Sequence, residues 1–408
     1  MTDALPLRTA TVDDHSALAE LITGAFLHDV EDEAVDRQRL VFEPDRTHLI
    51  EDDGKPVATG AVYTRDMTVP GAVIPVAHVT GVAVATTHRR RGLLTRIMHA
   101  QLASIRERGS EPVAALWATE GGIYGRFGYG IAARHYEYTI NRSLVQMTAS
   151  EAPGTLVQAK PADVAEELAA VYERVRTERP GWSSRPGKWW DRMLTDIASH
   201  RHGMSSMRGV LYREGDSRAG YALWRVKGGW DESGPSGEVK VVEVVAASPQ
   251  AYRALWRFLT SIDLTRTVAY MFGAADEPLP YIVTDSNALS VSADQSLWIR
   301  VLDVPAALSA RRYAAPVDVV LDVIDDFVVE NSQRWHLAGD GSSVLCEPTS
   351  ADPDMTLDVR HLGAVYLGGT SLQSLADAGL VTEHREGALA RASTAFGWHR
   401  APSAIEIF

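Results

Sequence analysis

The chain contains very little cysteine, no long apolar run and no excess of basic charge. Its single cysteine among 408 residues, Cys346, excludes an internal disulfide and any metal site built from several cysteines, so the sequence predicts no metal. No stretch is long and apolar enough to span a bilayer, and residues 5–15 become charged too early for a secretion signal. Aspartate and glutamate outnumber lysine and arginine by 53 to 40, which argues against a nucleic-acid partner. The sequence therefore predicts a cytoplasmic protein with neither a nucleic-acid nor a membrane partner.

The remaining composition is that of an ordinary folded protein, with 45% hydrophobic and 23% charged residues. Since one domain takes roughly 150 residues, the length predicts two or three domains, and three is the working number. The formal net charge of −13 would suit a cationic ligand, although acidic charge also serves solubility alone.

The first part of the chain alternates between strand and helix patterns. Apolar residues at helical spacing follow Asp13 and Asp14 and predict a helix, and a second, acidic helix comes next. The turn over residues 52–55 lies between apolar stretches and predicts a hairpin. The predicted strands cover residues 5–9, 47–50, 57–63, 72–76 and 78–84.

An arginine-rich loop, residues 88–94, follows the last of these strands and opens a predicted helix over residues 93–108. The first amides of a helix lack intrahelical acceptors and lie at the positive end of its dipole, so a strand–loop–helix unit of this kind binds phosphate. Gly92 permits close approach of the backbone, and the arginines offer charge-assisted hydrogen bonds. The alternative is a solvated, arginine-rich helix start.

Two motifs carry a resemblance to a known family. Arg89 and Gly92 match the acyl-CoA loop of the GNAT acetyltransferases, Arg/Gln-x-x-Gly-x-Gly/Ala, while Leu94 departs from its small last residue. The second motif, residues 119–130, follows a predicted strand over residues 113–118 and reads Thr-Glu-Gly-Gly-Ile-Tyr-Gly-Arg-Phe-Gly-Tyr-Gly. With the loop, the chain length and the chain end, it resembles the Eis (enhanced intracellular survival) family of actinobacterial aminoglycoside N-acetyltransferases.

The resemblance implies a mixed α+β fold of three domains. Residues 1–150 would form a GNAT domain that binds acetyl-CoA, and residues 151–290 a degenerate GNAT-like domain, because residues 246–249 have neither arginine nor glycine at the corresponding turn. Residues 291–408 would form a sterol-carrier-protein-like domain. The resemblance also implies a homohexamer that acetylates aminoglycosides or related polycationic amines in a ternary complex.

The acetyl-CoA site follows residue by residue from the matched motifs. The open strand before the loop, the loop itself and the start of the second motif would hold the cofactor: Val82, Ala83, Val84, Arg89, Arg90, Arg91, Gly92, Leu93, Leu94, Thr95, Thr119 and Glu120. The backbone N–H of Val84 is the candidate donor to the developing oxyanion.

Tyr124 matches the general acid of the family, and a phenol with an unperturbed pKa of about 10 is protonated at neutral pH. The alternative is a tyrosine that only packs in a glycine-rich turn, as Tyr129 would. The base implied by the resemblance is the terminal carboxylate of Phe408. Residues 404–408 form an apolar, strand-like ending that suggests docking, and an ordinary buried C-terminal strand is the alternative.

Substrate capture is expected from the first two helices. Phe26, His28 and Asp29 combine an aromatic ring with negative charge, whereas residues 31–33 are also consistent with a solvated acidic face. Trp117 is a further candidate that either walls the pocket or fills the core.

For the rest of the chain, the sequence predicts helices and strands but no further catalytic residues. A tryptophan-rich segment covers residues 182–190, and a buried lone thiol at Cys346 is expected to pack rather than react. Predicted strands cover residues 209–212, 221–226, 238–246 and 297–302, predicted helices cover 251–259 and 371–378 with another starting at 304, and residues 317–324 and 326–330 form a predicted hairpin around Asp325.

Two other functions stay open at this point. One is N-acetylation of lysine in proteins. The other is a non-catalytic module that binds an apolar ligand in the third domain and keeps the acyl-CoA site for structural or regulatory purposes.

Overall fold

The computed structural model describes residues 5–148 and 153–408. Its strands are β1 (Leu7–Thr9), β2 (His48–Asp52), β3 (Lys55–Val69), β4 (Ala72–Val84), β5 (Val113–Trp117), β6 (Gly130–Ile131), β7 (Arg134–Asn141), β8 (Thr155–Ala159), β9 (Arg208–Glu214), β10 (Ser217–Lys227), β11 (Trp230–Asp231), β12 (Gly234–Pro235), β13 (Gly237–Ala246), β14 (Thr265–Gly273), β15 (Leu289–Gln295), β16 (Leu297–Val301), β17 (Val317–Ile324), β18 (Arg334–Gly339), β19 (Val344–Pro348), β20 (Met355–Asp358) and β21 (Val381–Glu383).

Its α-helices are α1 (His15–Ala25), α2 (Asp32–Arg39), α3 (Leu93–Arg108), α4 (Gly121–Tyr124), α5 (Ala165–Arg176), α6 (Trp189–Leu194), α7 (Pro249–Ser261), α8 (Val304–Ala310), α9 (Val359–Val365), α10 (Leu372–Asp377) and α11 (Ala388–Phe396). Within the described ranges, no helix has the length and apolar character needed to cross a membrane.

The strands form two seven-stranded sheets and one five-stranded sheet. The first has the order β1-β2-β3-β4-β5-β16-β6 and the second the order β15-β7-β14-β13-β10-β9-β8. The third has the order β19-β18-β17-β20-β21, and β11 and β12 form a separate ribbon. Each seven-stranded sheet contains one parallel pair of strands with a helix in the connection between them. In the first sheet α3 connects β4 to β5, and in the second α7 connects β13 to β14.

Two strands belong to a sheet that is formed mainly by another predicted domain. β7 lies in the second sheet between β14 and β15, although in the chain it follows shortly after the second motif. β16, which we predicted at the start of the third segment, pairs with β5 and β6 in the first sheet. The first and third segments also share one core, since Val76 of β4, Ile299 of β16 and Leu321 of β17 belong to the same buried cluster. The domain boundaries at residues 150 and 290 therefore remain predictions. β7 and β16 each pair with strands on the other side of one of these boundaries.

β4 is open along the half that precedes the arginine loop. Its pairing with β5 covers only Ala77 with Ala114 and His78 with Ala115, after which the two strands diverge. On its other side the register to β3 shifts, so that Gly81, with φ +56°, and Val82 form a bulge. Consequently one edge of β4 after His78 lacks a neighbouring strand, and its backbone groups are available to a ligand.

Several sequence predictions differ from the structure. Residues 72–76 and 78–84 form one strand, β4, rather than two. The predicted hairpin around Asp325 is wrong, because β17 pairs with β18 and residues 329–331 form a 3-10 turn. Asp325 instead ends β17 in a buried ion pair with Arg300 at 2.7 Å and accepts the N–H of Val328 at 2.9 Å. The ending at residues 404–408 forms no strand.

Candidate active site

The loop before α3 has the geometry of an anion site. Gly92 is the N-cap residue of α3 with φ +75°, a backbone conformation that favours glycine, and no side chain caps the helix. A Cβ at Gly92 would meet nothing within 4 Å. Glycine is therefore favoured there for its backbone conformation and not to leave room for a neighbouring atom. The first backbone bond runs from the N–H of Arg96 to the Gly92 oxygen at 3.1 Å, which leaves the amides of residues 93–95 without an intrahelical acceptor.

His88 holds the loop in place, whereas the three arginines of the loop are exposed to solvent. Nε2 of His88 lies 2.8 Å from Oδ2 of Asp52, at the turn between β2 and β3. Arg89, Arg90 and Arg91 are exposed, and none of them makes an ion pair within the part of the chain that the structure describes. Their charge is therefore available to an anionic ligand beside the helix start.

A cavity of about 740 Å³, here called the cofactor cavity, lies between the open edge of β4, the start of α3 and the second motif. The structure brings most of the predicted acetyl-CoA residues together on its wall: Val82, Ala83, Val84, Arg89, Arg90, Gly92, Leu93, Leu94, Thr95, Thr119 and Glu120. Arg91 does not line it, because the loop turns it to solvent. Arg126, which the sequence did not single out, lines the cofactor cavity as well.

Tyr124 ends the short helix α4 and lines the cofactor cavity. It is 8% exposed, and its ring lies 5.9 Å from that of Tyr129, which is fully buried and lies outside this cavity. Burial, with a smaller contribution from Glu120, raises the pKa of Tyr124 to about 12. The phenol is therefore protonated across the neutral and mildly alkaline range and is able to donate a proton.

A second cavity of about 390 Å³, here called the amine cavity, lies under α1 and α2. The three residues predicted to bind substrate, Phe26, His28 and Asp29, line it, and Phe26 also lines the cofactor cavity. Thr80 and Gly81 of β4 belong to its wall, while the next residues of the same strand line the cofactor cavity. The two cavities are thus neighbours across β4.

The amine cavity also contains residues that sequence reasoning missed. Tyr63 lies on its wall and accepts a hydrogen bond from the Gln38 amide. Arg37 and His15 line it as well, and the ring nitrogen Nδ1 of His15 is buried without a partner. Burial, together with Arg39, lowers the pKa of His15, so that its imidazole is neutral near pH 7. β3 is buried on both faces around Tyr63, so the sequence of the strand carries no sign of the cavity.

Trp117 lines neither cavity, so of the two alternatives, a pocket wall or core packing, its contacts favour the core. Its ring packs 5.4 Å from that of His135 and 6.1 Å from that of Phe272. Successive side chains of a strand point to opposite faces, and it is the preceding residue, Leu116, that packs in the cluster of Tyr124. Trp117 therefore fills the core on the other face of the sheet.

Phe408 lies beside the amine cavity. Its ring is 4.6 Å from the ring of His78 and packs against a small cluster of Val41, Tyr63 and Trp189. Tyr63 is the shared residue, because it also lines the amine cavity. His78 is fully buried with Nε2 2.7 Å from Ser183 Oγ, and burial, with Arg65, lowers its pKa to about 3. Its neutral imidazole therefore adds no charge beside the chain end.

Charge, rather than strand pairing, docks the last residues. The Glu406 carboxylate accepts hydrogen bonds from Arg65 and, at 3.1 Å, from Arg185, which also binds Glu243 at 2.8 Å. The side chains of both arginines are at most 1% exposed. Burial alone would raise the pKa of Glu406, but Arg185 and Arg65 lower it to about 2. Since the loss of one partner would leave buried charge uncompensated, this network fixes the position of Phe408 two residues later.

Cys346 is 3% exposed, and burial raises the pKa of its thiol to about 12. It packs in the large shared core, as predicted for a lone thiol. Among the described residues, no three histidine, cysteine or acidic side chains are grouped as a metal site would require.

Three family models match the chain and together cover most of its length. Residues 6–132 match the family model of the acetyltransferase (GNAT) domain, residues 181–301 match a second acetyltransferase (GNAT) domain model, and residues 304–404 match the sterol carrier protein domain. The predicted fold class, a mixed α+β chain of two GNAT-like domains and a sterol-carrier-protein-like domain, is confirmed.

Individual relatives match over most of the chain. An uncharacterized N-acetyltransferase of Streptomyces avermitilis is 44% identical over 371 residues, which cover 89% of this chain and 90% of the relative. N-acetyltransferase Eis of Mycobacterium tuberculosis is 34% identical over 403 residues, 96% of each chain. The crystal structure of Eis1 from Mycobacterium abscessus superposes with a TM-score of 0.85 at 32% identity and covers 99% of this chain and 100% of that one. This chain is therefore an acetyltransferase and belongs to the Eis family of GNAT N-acetyltransferases.

Proposed function

We propose that this enzyme transfers the acetyl group of acetyl-CoA to an amine of an aminoglycoside or a related polycationic amine, by direct attack in a ternary complex. The observation that carries the proposal is the pair of adjacent cavities. Phe26 lines both, and β4 contributes Thr80 and Gly81 to one and residues 82–84 to the other. Two substrates held at adjacent segments of one strand can meet without a covalent enzyme intermediate.

The cofactor cavity suits acetyl-CoA at both ends. The free amides of residues 93–95 and the exposed Arg89 and Arg90 are donors for the pyrophosphate. The open edge of β4 offers backbone partners to the amide-containing arm. Successive N–H groups of a strand point to opposite sides, and the N–H of Ala85 donates to Val57 of β3 at 2.8 Å. The N–H of Val84 therefore points to the open edge, where we assign it to the oxyanion.

The proposed chemistry needs one acid and one base. The amine nitrogen attacks the thioester carbonyl carbon, and the carbon–sulfur bond breaks as the tetrahedral intermediate collapses. The leaving thiolate takes the phenol proton of Tyr124, and the proton lost by the amine passes to the terminal carboxylate of Phe408, through water. Because a carboxylate is a weak base, Phe408 also orients the ammonium beside Tyr63.

Acidic side chains at the amine cavity support a cationic substrate. Asp29 and Glu31 line it, together with an apolar surface that includes Phe26 and Ile22. Arg37 lines the same cavity, so ammonium groups are placed at the Asp29 and Glu31 side. By family resemblance, the proposal also includes a homohexameric assembly, a cytoplasmic location and the roles given above to the three domains.

A panel of amines tests the substrate class. We expect release of CoA thiol from acetyl-CoA with aminoglycosides, slower release with linear polyamines and little with lysine peptides, since the cavity offers two carboxylates to a compact polycation. Thiol release is followed with a thiol-reactive dye at saturating acetyl-CoA. Preferential turnover of lysine peptides would transfer the proposal to protein acetylation, and inactivity on all three with acetyl-CoA still bound would favour the non-catalytic module.

The arginine loop provides a test of the cofactor site with an internal control. Arg89→Gln is expected to raise the KM for acetyl-CoA about tenfold or more, because a hydrogen bond to a charged group contributes about 1.5–3 kcal/mol. Arg91→Gln removes the same charge from a side chain outside the cofactor cavity and should change the KM little. Equal effects of the two substitutions would show that the loop acts through its net charge and not through Arg89.

A further inference from the structure

The second seven-stranded sheet has a cleft at the place that corresponds to the cofactor cavity. Its parallel pair, β13 and β14, is in register only as far as Val241 opposite Tyr270, after which the strands diverge. A cavity of about 580 Å³ occupies this divergence and is bounded by the end of β13, the start of α7 and the end of β14. The end of β4, the start of α3 and the residues that follow β5 bound the cofactor cavity in a similar way. This second-domain cleft is therefore a preserved, separate binding-site shape.

The second-domain cleft does not suit a pyrophosphate. Pro249 at the start of α7 has no N–H, and the amide of Ala251 donates to the N-cap side chain of Ser248 at 3.1 Å. The Ser248 hydroxyl in turn donates to the Glu214 carboxylate at 2.8 Å, which places negative charge beside the helix start. The phosphate-binding function of the first domain is thus lost here, although the space between the strands remains.

The wall of the second-domain cleft is aromatic. Tyr252, Tyr270 and Phe272 line it together with Trp182. Tyr252 donates its hydroxyl hydrogen bond to Glu277, which also accepts the Ala274 amide at 3.1 Å. The acidic groups of the cleft are therefore engaged within the protein, and flat apolar surface is left for the body of a ligand.

Arg253 is the cation of the second-domain cleft that lacks a partner. It follows Tyr252 in α7 and lines the cavity, and its Nε is buried without a hydrogen bond. Across the described ranges, no carboxylate forms an ion pair with it, whereas Arg400 at the same cavity faces Glu178 at 3.6 Å. Because a half-buried guanidinium without a partner costs free energy, an anion at this position would stabilise it.

We propose that the second-domain cleft binds a small aromatic carboxylate, with the ring between β13 and β14 and the carboxylate on Arg253. The site lies in a different sheet from the two cavities of acetyl transfer and does not depend on the identity of the amine. Ser403 lines it and accepts a hydrogen bond from Trp182 at 3.2 Å, five residues before Phe408. A bound acid therefore contacts the segment that carries the chain end.

Titration calorimetry with 3-phenylpropionate tests the site in the full-length enzyme, with saturating acetyl-CoA to fill the cofactor cavity. We expect saturable binding to the unaltered chain and at least a tenfold weaker affinity for Arg253→Gln. Ala247→Trp, which adds bulk at an exposed position on the cavity wall, should weaken binding by a similar factor. Arg257→Gln changes an arginine one turn further along α7 and outside the cavity, and should bind like the unaltered chain.

The same titration with the neutral 3-phenylpropionamide separates the carboxylate from the ring without adding an amine, and we expect it to bind at least tenfold more weakly than the acid. Retained binding of acetyl-CoA shows that each variant is folded. Absence of saturable heat with the unaltered chain up to millimolar acid, equal affinity of Arg253→Gln, or equal affinity for the amide would each overturn the proposal. Failure of acetyl transfer on every amine would leave the calorimetric result unaffected, so the two proposals fail separately.

Discussion

Replacing Tyr124 by phenylalanine is expected to lower kcat by about 10²–10⁴, the usual contribution of a general acid, while acetyl-CoA binds as before. The substitution removes only the hydroxyl of an 8% exposed ring in the cofactor cavity, so the packing against Tyr129 stays. Steady-state kinetics gives kcat, and calorimetry gives the acetyl-CoA affinity. A loss confined to kcat assigns the hydroxyl to the leaving thiolate.

Tyr129→Phe is the matched control for this prediction. Its hydroxyl is buried without a hydrogen bond and its ring lies outside the cofactor cavity, so its removal should leave kcat nearly unchanged. Since the pKa of Tyr124 is raised to about 12, the acid stays protonated until the pH rises through that value. A decline of activity between pH 7 and 10 would therefore belong to another group. Unchanged turnover of Tyr124→Phe would remove the tyrosine from the mechanism.

Extending the chain by two glycines after Phe408 is expected to lower kcat about a hundredfold, because it moves the carboxylate away from the amine cavity and replaces it by a neutral amide. The ring of Phe408 keeps its contacts with His78 and Tyr63, and Glu406 keeps its arginines. Activity measured at saturating concentrations of both substrates checks the expectation.

Ile407→Ala is the control for the chain end, since it trims a neighbouring side chain that is 49% exposed and retains the carboxylate. It should keep most of the activity. Full activity of the extended chain would show that another group takes the proton, and the neutral His15 in the amine cavity is the first candidate. An equal loss in both variants would point to docking of the tail rather than to the carboxylate.

The sequence predicted the local parts of the site well. The helix over residues 93–108 has the predicted bounds, because a glycine on either side and apolar residues at helical spacing are local signals. The predicted residues of the acyl-CoA loop meet at one cavity, apart from Arg91, since strand, loop and helix start are contiguous in the chain. The sequence did not decide between the two alternatives for Trp117, because only the assembled sheet shows which face of β5 meets the cavity.

By itself, the sequence determined the two motifs that identify the family and supplied the candidates for the reacting groups, because each motif depends on residues that are close along the chain. Tertiary structure alone decided that Phe26 joins the two cavities, that β16 completes the first sheet and that the tail docks without forming a strand. The contact of Arg65 with Glu406 spans 341 residues. A pairing of that length leaves no local pattern in either segment, since burial and charge compensation arise only when distant elements pack.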